Sequence, residues 1–406
     1  MQNSLLTMID LFAGAGGLSE GLSQVGFKCL YANEVNPRYA QTFSINHSEA
    51  GVDNRDIRTV DAIKVRKQLG LRKGELDLVA GGPPCQGFSI NAPKRSPLDA
   101  RNHLFKEFLR FVDEFAPRAV LIENVPGLVS FEGGTTLQAI LTALEYHGYR
   151  ADVRILYAPH FGVPQTRWRT IIVGLRSERG LEFVFPEPLH HAPVRVNFTS
   201  RFKGRNIIAL PAQIALPQFV SVQDAIDDLP ELGNGVSGAQ IKPYRTAPQN
   251  DFQNIMRVSS NGVVNHEAPR LSQINLHRLS FIPPGGNWTN IPVDMLPNGM
   301  QNAHRSDHTK RYGRVDPTGL ASTILTKCDP HWGAYFHYNQ DRIFTVREAA
   351  RLQTFPDTFH FTGSRVDQYA QVGNAVPPLL ASAIGRSLVE SLSITTQEPK
   401  QEVKVI

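Results

Sequence analysis

The sequence predicts an α/β fold: a doubly wound, mostly parallel sheet, with an irregular second domain inserted before its last elements. Two observations predict the sheet. Short apolar runs alternate with amphipathic helical segments over the first 185 residues, and glycine-rich turns follow two of those runs. A third observation predicts the insert, because regular patterning stops near residue 186 and resumes near residue 343. We therefore expect a catalytic unit made of residues 1–185 and 343–406, and a separate domain at 186–342.

The elements of the first unit are predicted from hydrophobic periodicity. Continuous or alternating apolar runs predict strands at 7–12, 27–32, 76–80, 119–122 and 170–173. Apolar residues three and four positions apart predict helices at 18–25, 105–112, 137–144, 346–352 and 380–392. The tail from Thr395 is polar and is expected to fray. This alternation is typical of a parallel sheet with helices packed on it.

The segment 186–342 has a different composition. It holds 15 of the 28 prolines and 8 of the 13 histidines, and its helical periodicity is weak. Prolines and short turn-bounded segments indicate loops and short strands. The segment is too long for an ordinary connection, so it predicts an inserted domain rich in loops and short strands.

Bulk properties narrow the class of protein. No apolar run approaches the ~20 residues that a membrane span needs, and no signal peptide precedes the first predicted strand. The three cysteines lack metal-ligand spacing. We therefore expect a cytoplasmic protein with no membrane contact and no metal. The net charge of +5 allows a polyanionic partner without requiring one.

A cysteine follows the third predicted strand. Gly82-Pro83-Pro84-Cys85-Gln86 is a rigid turn that presents one thiol, and Glu123 follows the next strand along the chain. Because the carboxyl ends of parallel strands meet at one edge of a sheet, the two groups are expected to form a nucleophile and acid pair. A small buried cysteine and a helix N-cap are the structural alternatives.

The first turn predicts a ligand site. Glycines between residues 13 and 17 allow close approach of the backbone, and Glu34 ends the second predicted strand, where an acid commonly binds ribose hydroxyls. Asp56 stands where a carboxylate can meet an adenine amine. Position 19 is serine, so the pattern departs from the Gly-x-Gly-x-x-Gly of dinucleotide sites. A tight turn without a ligand is the alternative.

Six segments together resemble the cytosine-C5 DNA methyltransferase family, and they occur in the family's order over nearly the whole chain. They are the glycine turn at 12–17, the Pro-Pro-Cys-Gln loop at 83–86, Glu-Asn-Val at 123–125, Gln-x-Arg-x-Arg at 165–169, the helix at 347–353 and the closing motif at 371–378. Residues 186–342 stand where the family carries its target recognition domain. Thr323 and Ile324 resemble the segment that closes that domain.

The resemblance implies a Rossmann-like, S-adenosylmethionine-dependent enzyme that methylates C5 of a cytosine flipped out of duplex DNA. It implies that Cys85 attacks C6 and that Glu123 acts at N3 and the exocyclic amine. It also implies that Arg169 contacts O2, while Arg167 supports Glu123 and the nucleophile loop. No residue of the sequence is assigned to remove H5, and a water is expected to do so.

Further site residues follow from the resemblance and from charge. Cofactor contacts are expected from Phe12, Gly14, Gly16, Gly17, Glu34, Val35, Asp56, Ile57, Pro84, Leu104 and Asn374. DNA contacts are expected from Ser89, Lys94 and Arg95 after the nucleophile and from Arg195, Arg201, Lys203 and Arg205 in a stretch without acids. A solvated basic face is the alternative for the last four.

The expected biological setting is a prokaryotic restriction–modification system. The enzyme is expected to act on double-stranded DNA as a monomer, nucleoid-associated while bound, and the sequence leaves open a separately acting endonuclease. Three other functions are alternatives: a tRNA cytosine-C5 methyltransferase, an inactive DNA-binding regulator and a nicotinamide-dependent oxidoreductase. Gly87, the long insert and the intact Cys85, Glu123, Arg167 and Arg169 favour the DNA enzyme.

Overall fold

A computed structural model describes residues 5–84, 104–176, 182–211, 215–237 and 241–394. Its main sheet has seven strands. They are β1 (Leu6–Leu11), β2 (Phe27–Asn33), β3 (Gly51–Asp53), β4 (Leu78–Gly81), β5 (Ala119–Asn124), β6 (Tyr149–Tyr157) and β7 (Trp168–Arg176). The sequence analysis did not identify β6, whose polar residues interrupt its apolar pattern.

The strand order is β3-β2-β1-β4-β5-β7-β6. All neighbouring pairs up to β5 are parallel, and β7 runs antiparallel to both β5 and β6. The predicted mostly parallel sheet is therefore confirmed. The chain moves outward from β1 to β3 and then returns to place β4 beside β1. This reversal creates a switch point, where ligands bind in open α/β sheets.

Helices cover both faces of the sheet, as the doubly wound class requires. Those described are α1 (Gly17–Ser23), α2 (Pro37–Asn46), α3 (Ala62–Gln68), α4 (Leu104–Phe115), α5 (Thr135–Tyr146), α6 (Val222–Ile226), α7 (Asp251–Met256), α8 (Gln273–Leu279), α9 (Val346–Leu352), α10 (Arg365–Asn374) and α11 (Pro378–Ile394). Apolar residues of α3, α4 and α5 pack on one face of the sheet. Those of α1, α2 and α11 pack on the other.

The packing of α11 on α1 depends on glycine. A Cβ at Gly21 would lie 2.2 Å from the carbonyl oxygen of Pro378, and one at Gly17 would lie 2.5 Å from that of Val376. Only glycine permits this approach, because real Cβ contacts are never so short. The two glycines therefore let a late segment of the chain close against the first helix.

A second apolar core is built from much of the predicted insert and from later segments, and the part of the chain that packs into it is the second unit. Residues 207–209 run beside β6, where the Ile155 amide donates to the Ile207 carbonyl (2.7 Å). Phe183 and Phe185 also pack on the main sheet. By packing, the second unit starts after residue 210 rather than at 186. It also includes α9 and α10, so α11 rather than residue 343 marks the return to the sheet. Proline content predicts where the backbone is irregular, but it does not predict which core that backbone packs against.

Within the described part of 186–342, the regular strands are only the two-residue pair β8 (Arg201–Phe202) and β9 (Arg205–Asn206). Isolated bridges, 3₁₀ turns and the short helices α6–α8 replace the expected short strands. No described helix has both the length and the apolar character needed to cross a membrane.

Buried charges tie α9 into the second unit. Arg351 is fully buried and binds Asp357 (2.6 Å) and Asp228 (3.1 Å), two carboxylates that are themselves buried. One turn away, Arg342 pairs with the buried Glu348 (2.6 Å). Removing one member of such a network leaves an uncompensated charge in the interior.

Replacing Arg351 with methionine keeps most of the side-chain volume but removes the cation that joins two buried carboxylates, which leaves Asp228 with Arg257 (3.3 Å) and Asp357 with the more distant Arg347 (3.9 Å). We expect the free energy of unfolding to fall by about 3–5 kcal/mol. Urea denaturation followed by circular dichroism measures it. The control is Arg72→Met, because Arg72 pairs with Glu75 but its side chain is 88% exposed, and a change within about 0.5 kcal/mol is expected there. Equal losses in the two variants would contradict this account of α9.

Candidate active site

A cleft of about 610 Å³ opens at the carboxyl ends of β1, β2, β4 and β5. This is the switch point of the sheet, between β1 and β4. Its floor comes from strand ends, including Asp10, Asn33 and Glu123, and a side wall comes from residues 373–376 at the end of α10. The cleft is therefore assembled from both ends of the sequence.

Glu34 holds the glycine turn in place. Its carboxylate accepts hydrogen bonds from the backbone amides of Gly14 (2.9 Å) and Asn36 (2.8 Å). Burial raises the pKa of Glu34, and these two hydrogen bonds oppose that rise. Each carboxylate oxygen can accept more than one hydrogen bond. The bound carboxylate is thus positioned at the cleft and still able to receive hydroxyl donors.

Most of the predicted cofactor residues line this one cleft. They are Phe12, Gly14, Gly17, Glu34, Val35, Asp56, Ile57, Pro84, Leu104 and Asn374. Gly16 is not among the lining residues. Its φ of 101° is left-handed, and a Cβ there would lie 2.7 Å from Nε2 of His47. Gly16 therefore shapes the turn and packs against α2, and its expected role as a ligand contact stays a prediction.

Arg58 also lines the cleft, a residue that sequence reasoning missed. Its guanidinium binds the carboxylate of Asp56, which also caps the following 3₁₀ turn. Hydrogen bonds from Arg58 lower the pKa of Asp56 to about 2. Asp56 is thus a fixed anion with one side already occupied. The signal available in the sequence was an arginine two residues after the acid.

Asp10 is a second lining residue that the sequence analysis did not assign to the site. Its side chain is buried, and Oδ2 accepts a hydrogen bond from the Ser19 hydroxyl (2.7 Å). Oδ1 has no partner among the described residues. Burial raises the pKa of Asp10 to about 7, the Ser19 bond opposes this, and the nearby Glu34 adds to it. The cleft thus contains a carboxyl that is close to half-protonated at neutral pH.

The predicted nucleophile, Cys85, lies outside the described residues. The residues before it are described, and they meet Glu123. A Cβ built on Gly82 would lie 3.2 Å from Oε2 of Glu123. The Asn124 side chain donates to the carbonyl of Pro83 (3.3 Å). The Gly-Pro-Pro turn therefore stands directly beside the Glu-Asn motif, as the ends of neighbouring parallel strands should.

Glu123 forms an ion pair with the guanidinium of Arg169. The two side chains are only 13% and 11% exposed, and both line the cleft. β5 and β7 are adjacent and antiparallel, which brings the end of one to the start of the other. The acid and one of the two predicted arginines therefore occupy the same corner of the site.

Among the described residues Arg167 makes no hydrogen bond or ion pair with Glu123, although the Glu123 charge acts on it, and its expected support of Glu123 and the nucleophile loop stays a prediction. Its guanidinium is buried and donates to the carbonyl oxygens of Ile324 (3.2 Å), Gly373 (2.8 Å) and Ala375 (2.9 Å). Arg167 lies before β7 begins at Trp168, so it does not share the extended alternation that would align it with Arg169. It joins three segments that are far apart in sequence.

The residues predicted to contact DNA are divided. Ser89, Lys94 and Arg95 lie outside the described residues. Arg195, Arg201, Lys203 and Arg205 are exposed, but Arg205 is paired with Asp152 of β6. The β8–β9 hairpin packs on residues 126–134 through Phe202, which contacts the main core. These basic residues therefore stand on the catalytic unit, not in the core of the second unit.

The described part of the chain has no evident metal-binding site. Among these residues, no three His, Cys, Asp or Glu side chains are grouped so as to hold a metal ion. Cys29 and Cys328 are both buried and free of disulfides. Burial raises the pKa of the Cys29 thiol to about 12, so it is not a nucleophile at neutral pH.

Comparisons with known proteins agree with this geometry. A family model described as C-5 cytosine-specific DNA methylase matches residues 6–390. The Type II methyltransferase M.AgeI of Thalassovita gelatinovora is 34% identical over 95% of this chain and 99% of its own length. The Type II methyltransferase M1.HphI of Haemophilus parahaemolyticus is 34% identical over 95% of this chain and 87% of its own.

A solved structure supports the fold alone. It is titled a putative DNA modification methyltransferase encoded within a prophage, from E. coli. It superposes with a TM-score of 0.73 at 24% identity, covering 96% of this chain and 99% of the other.

The environment of Asp10 predicts a pH dependence of stability. Its pKa is raised from 3.8 to about 7, so between these values the folded state binds more protons than the unfolded state. Stability from this group is therefore full below pH 4 and is lost as pH rises through 7. Relative to Asp10→Asn, wild type should lose about 3 kcal/mol between pH 5 and pH 8. Urea unfolding without added cofactor at the two pH values measures this.

The matched control is Asp294→Asn, because Asp294 is exposed. Its stability difference from wild type should stay constant over the same pH range. A constant difference for Asp10→Asn as well would show that Asp10 is not the titrating group.

Proposed function

The chain belongs to the C-5 cytosine-specific DNA methylase family, and from this premise we propose how its residues methylate DNA. It is a DNA (cytosine-5-)-methyltransferase, an enzyme that acts on DNA. The observation that carries the mechanism is the corner where the Gly82–Pro84 turn, Glu123 and Arg169 meet at the edge of the cleft. There, a thiol on the residue after Pro84 would work beside a carboxyl group and a cation.

The cleft fits the methyl donor of this family, S-adenosylmethionine. When bound, that molecule supplies an electrophilic methyl group on a positively charged sulfonium. We propose that Glu34 binds the ribose hydroxyls, since its fixed carboxylate retains free acceptor positions. Asp56 and Ile57 border the adenine. The unpartnered Oδ1 of the buried Asp10 suits a cationic ligand.

Cys85 is the proposed nucleophile. Its thiolate adds to C6 of the cytosine, and the C5–C6 electron pair becomes available at C5. C5 would then take the methyl group as the bond between that group and the sulfonium sulfur of the donor breaks, and the sulfur would leave as a neutral thioether. A water then removes the proton from C5, the double bond re-forms and the thiolate leaves. The thiolate is regenerated, so Cys85 is a catalyst and not a reactant.

Glu123 and Arg169 are the proposed partners of the base. Glu123 hydrogen-bonds N3 and the exocyclic amine, which draws electrons from C6 and favours the attack of Cys85. Arg169 is paired with Glu123 in the free enzyme, and its proposed role is to donate a hydrogen bond to O2 of the cytosine. Asn124 holds the Pro83 carbonyl and so fixes the start of the nucleophile loop.

We propose that the second unit recognises the target sequence, while the exposed Arg195, Arg201 and Lys203 bind phosphates from the catalytic unit. The segment after Ile324 adjoins the cleft because Arg167 binds the Ile324 and Gly373 carbonyls together. DNA, rather than tRNA, is favoured by relatives named Type II methyltransferases that match across most of their length. The proposed setting is a restriction–modification system, with the enzyme acting as a monomer, separately from any cognate endonuclease.

Substitution of the proposed nucleophile tests the function. Cys85→Ser should lose transfer of tritiated methyl groups to DNA by several orders of magnitude, because a serine alkoxide is scarce at neutral pH where a thiolate is available. Wild type should form a covalent complex with duplex DNA carrying 5-fluorocytosine, since fluorine cannot leave as the C5 proton does.

Denaturing gels detect that complex, and parallel assays with tRNA test the alternative substrate. Cys29→Ser is the control, because Cys29 is buried and does not line the cleft. A covalent complex formed by Cys85→Ser, or preferential methylation of tRNA, would overturn the proposal.

Substitution of two acids in the cleft tests the cofactor site. Glu34→Ala should weaken S-adenosylmethionine binding roughly ten- to a hundredfold, since a charge-assisted hydrogen bond is worth about 1.5–3 kcal/mol. Asp56→Ala should weaken it less, because Arg58 already occupies that carboxylate. Titration calorimetry measures both. Unchanged affinity in Glu34→Ala, with its fold intact by circular dichroism, would place the cofactor elsewhere.

A further inference from the structure

One loop of the second unit begins at the wall of the cleft and is held by hydrogen bonds at both ends. We call residues 325–332 the rim loop. It begins at the cleft wall, where a Cβ on Gly373 would lie 2.3 Å from the Leu325 carbonyl carbon. Its first residues follow Ile324, whose amide donates to the Gln165 side chain (3.0 Å). The start of the loop is therefore fixed to the same segment that carries Arg167 and Arg169.

The far end of the loop is also fixed. The Tyr312 hydroxyl hydrogen-bonds the ring of His331 (2.7 Å), and the Tyr312 amide donates to the Pro330 carbonyl (2.6 Å). The His331 ring also meets the Asp329 carboxylate (2.7 Å). These contacts hold the turn 329–332 in one conformation, so its exposed side chains project in a set direction.

Trp332 is the exposed end of this turn. Its side chain is 61% exposed, although tryptophan is highly buried on average. The guanidinium of Arg311 lies over the ring, 5.4 Å from its centre. An apolar surface of this size, left in water beside a cation on a rigid turn, indicates a binding role rather than packing.

A second arginine–tryptophan pair in the same unit shows the contrast. Arg305 lies over Trp288 at the same distance of 5.4 Å, but the Trp288 ring is 1% exposed and belongs to the core. That pair stabilises the unit from within. The Arg311–Trp332 pair has the same distance, but most of its ring surface is presented to solvent.

Base flipping exposes base surfaces to which such a ring can bind. Moving a cytosine out of the helix costs a few kcal/mol and exposes the faces of the bases that stood next to it. An aromatic ring stacks on an unstacked base of any identity, and an arginine beside it binds the phosphate backbone. Both groups are available at the far end of the rim loop, whose first residue, Leu325, contacts the cleft wall.

We infer that Trp332 stacks on the bases left exposed in the duplex when the target cytosine enters the cleft, with Arg311 bound to the adjacent phosphate. This inference rests on the proposed function, since it needs a flipped cytosine. It assigns to the Arg311–Trp332 pair a role in stabilising the opened duplex, separate from the phosphate contacts proposed for Arg195, Arg201 and Lys203.

Fluorescence tests the contact directly. Of the three tryptophans, Trp288 is buried and Trp168 is partly buried and stacked on Tyr157, so Trp332 dominates the solvent-sensitive signal. Adding a duplex that contains the methylation site, identified by methylome sequencing, should quench the wild-type emission. Trp332→Phe should abolish the quenching while retaining a stacking ring. Persistent quenching in Trp332→Phe would overturn the inference.

Binding and kinetics test the energetic role. Trp332→Ala should weaken binding of the site-containing duplex roughly ten- to a hundredfold, the range expected for one base–aromatic stack. Trp332→Phe should restore most of that loss. Arg311→Met should reduce the slope of log affinity against log salt by about one. Tyr146→Ala is the control, because Tyr146 is an 87% exposed aromatic at the end of α5 and should bind as wild type does.

The outcomes separate this inference from the proposed function. If wild type methylates DNA and Trp332→Ala binds and methylates with wild-type constants, the stacking role is wrong and the function stands. If wild type methylates no DNA, the proposed function fails, and this inference fails with it. Thermal melting shows whether each variant is folded. If Trp332→Ala does not fold, Trp332→Phe still tests the inference.

Discussion

The arrangement of the site depends on one buried guanidinium. Arg167 binds the backbone carbonyls of Ile324, Gly373 and Ala375, which belong to the second unit and to the cleft wall. Hydrogen bonds from a charged group are stronger than neutral ones, and a buried cation without partners is costly, so the three carbonyls and Arg167 hold one another. Two residues further on, Arg169 is paired with Glu123. A single short segment thus connects Glu123, the cleft wall and the second unit.

Four acids line the cleft; Glu123 is paired with Arg169, and the other three are stabilised in three different ways. Asp10 is buried and holds a proton over part of the neutral range, Glu34 is held by two backbone amides, and Asp56 is paired with Arg58. Three unpaired carboxylates in one cleft would repel one another strongly. Each has instead a different source of compensation, so the cleft can attract a cationic ligand without being destabilised by its own charge.

The sequence predicted the sheet and the ends of its central strands, because apolar runs followed by Gly-Pro-Pro or Glu-Asn are local signals. The positions of Glu34, Asp56 and Glu123 at one cleft followed from parallel topology. Other features depend on contacts that no local pattern encodes. The partners of Arg167 lie more than 150 residues away. Residues 207–209 resemble loop in sequence, yet they pair with β6. The second unit could be located by its prolines, but its limits are set by which core each segment enters.

The closing of α11 against α1 has a consequence for the timing of activity in the cell. Gly17 and Gly21 are made early in synthesis, but their partners, Val376 and Pro378, leave the ribosome near the end of the described chain. The wall at 373–376 emerges at the same stage. A nascent chain whose first five strands are complete therefore lacks one side of the cleft. The cleft is complete only after residues 373–376 have been made.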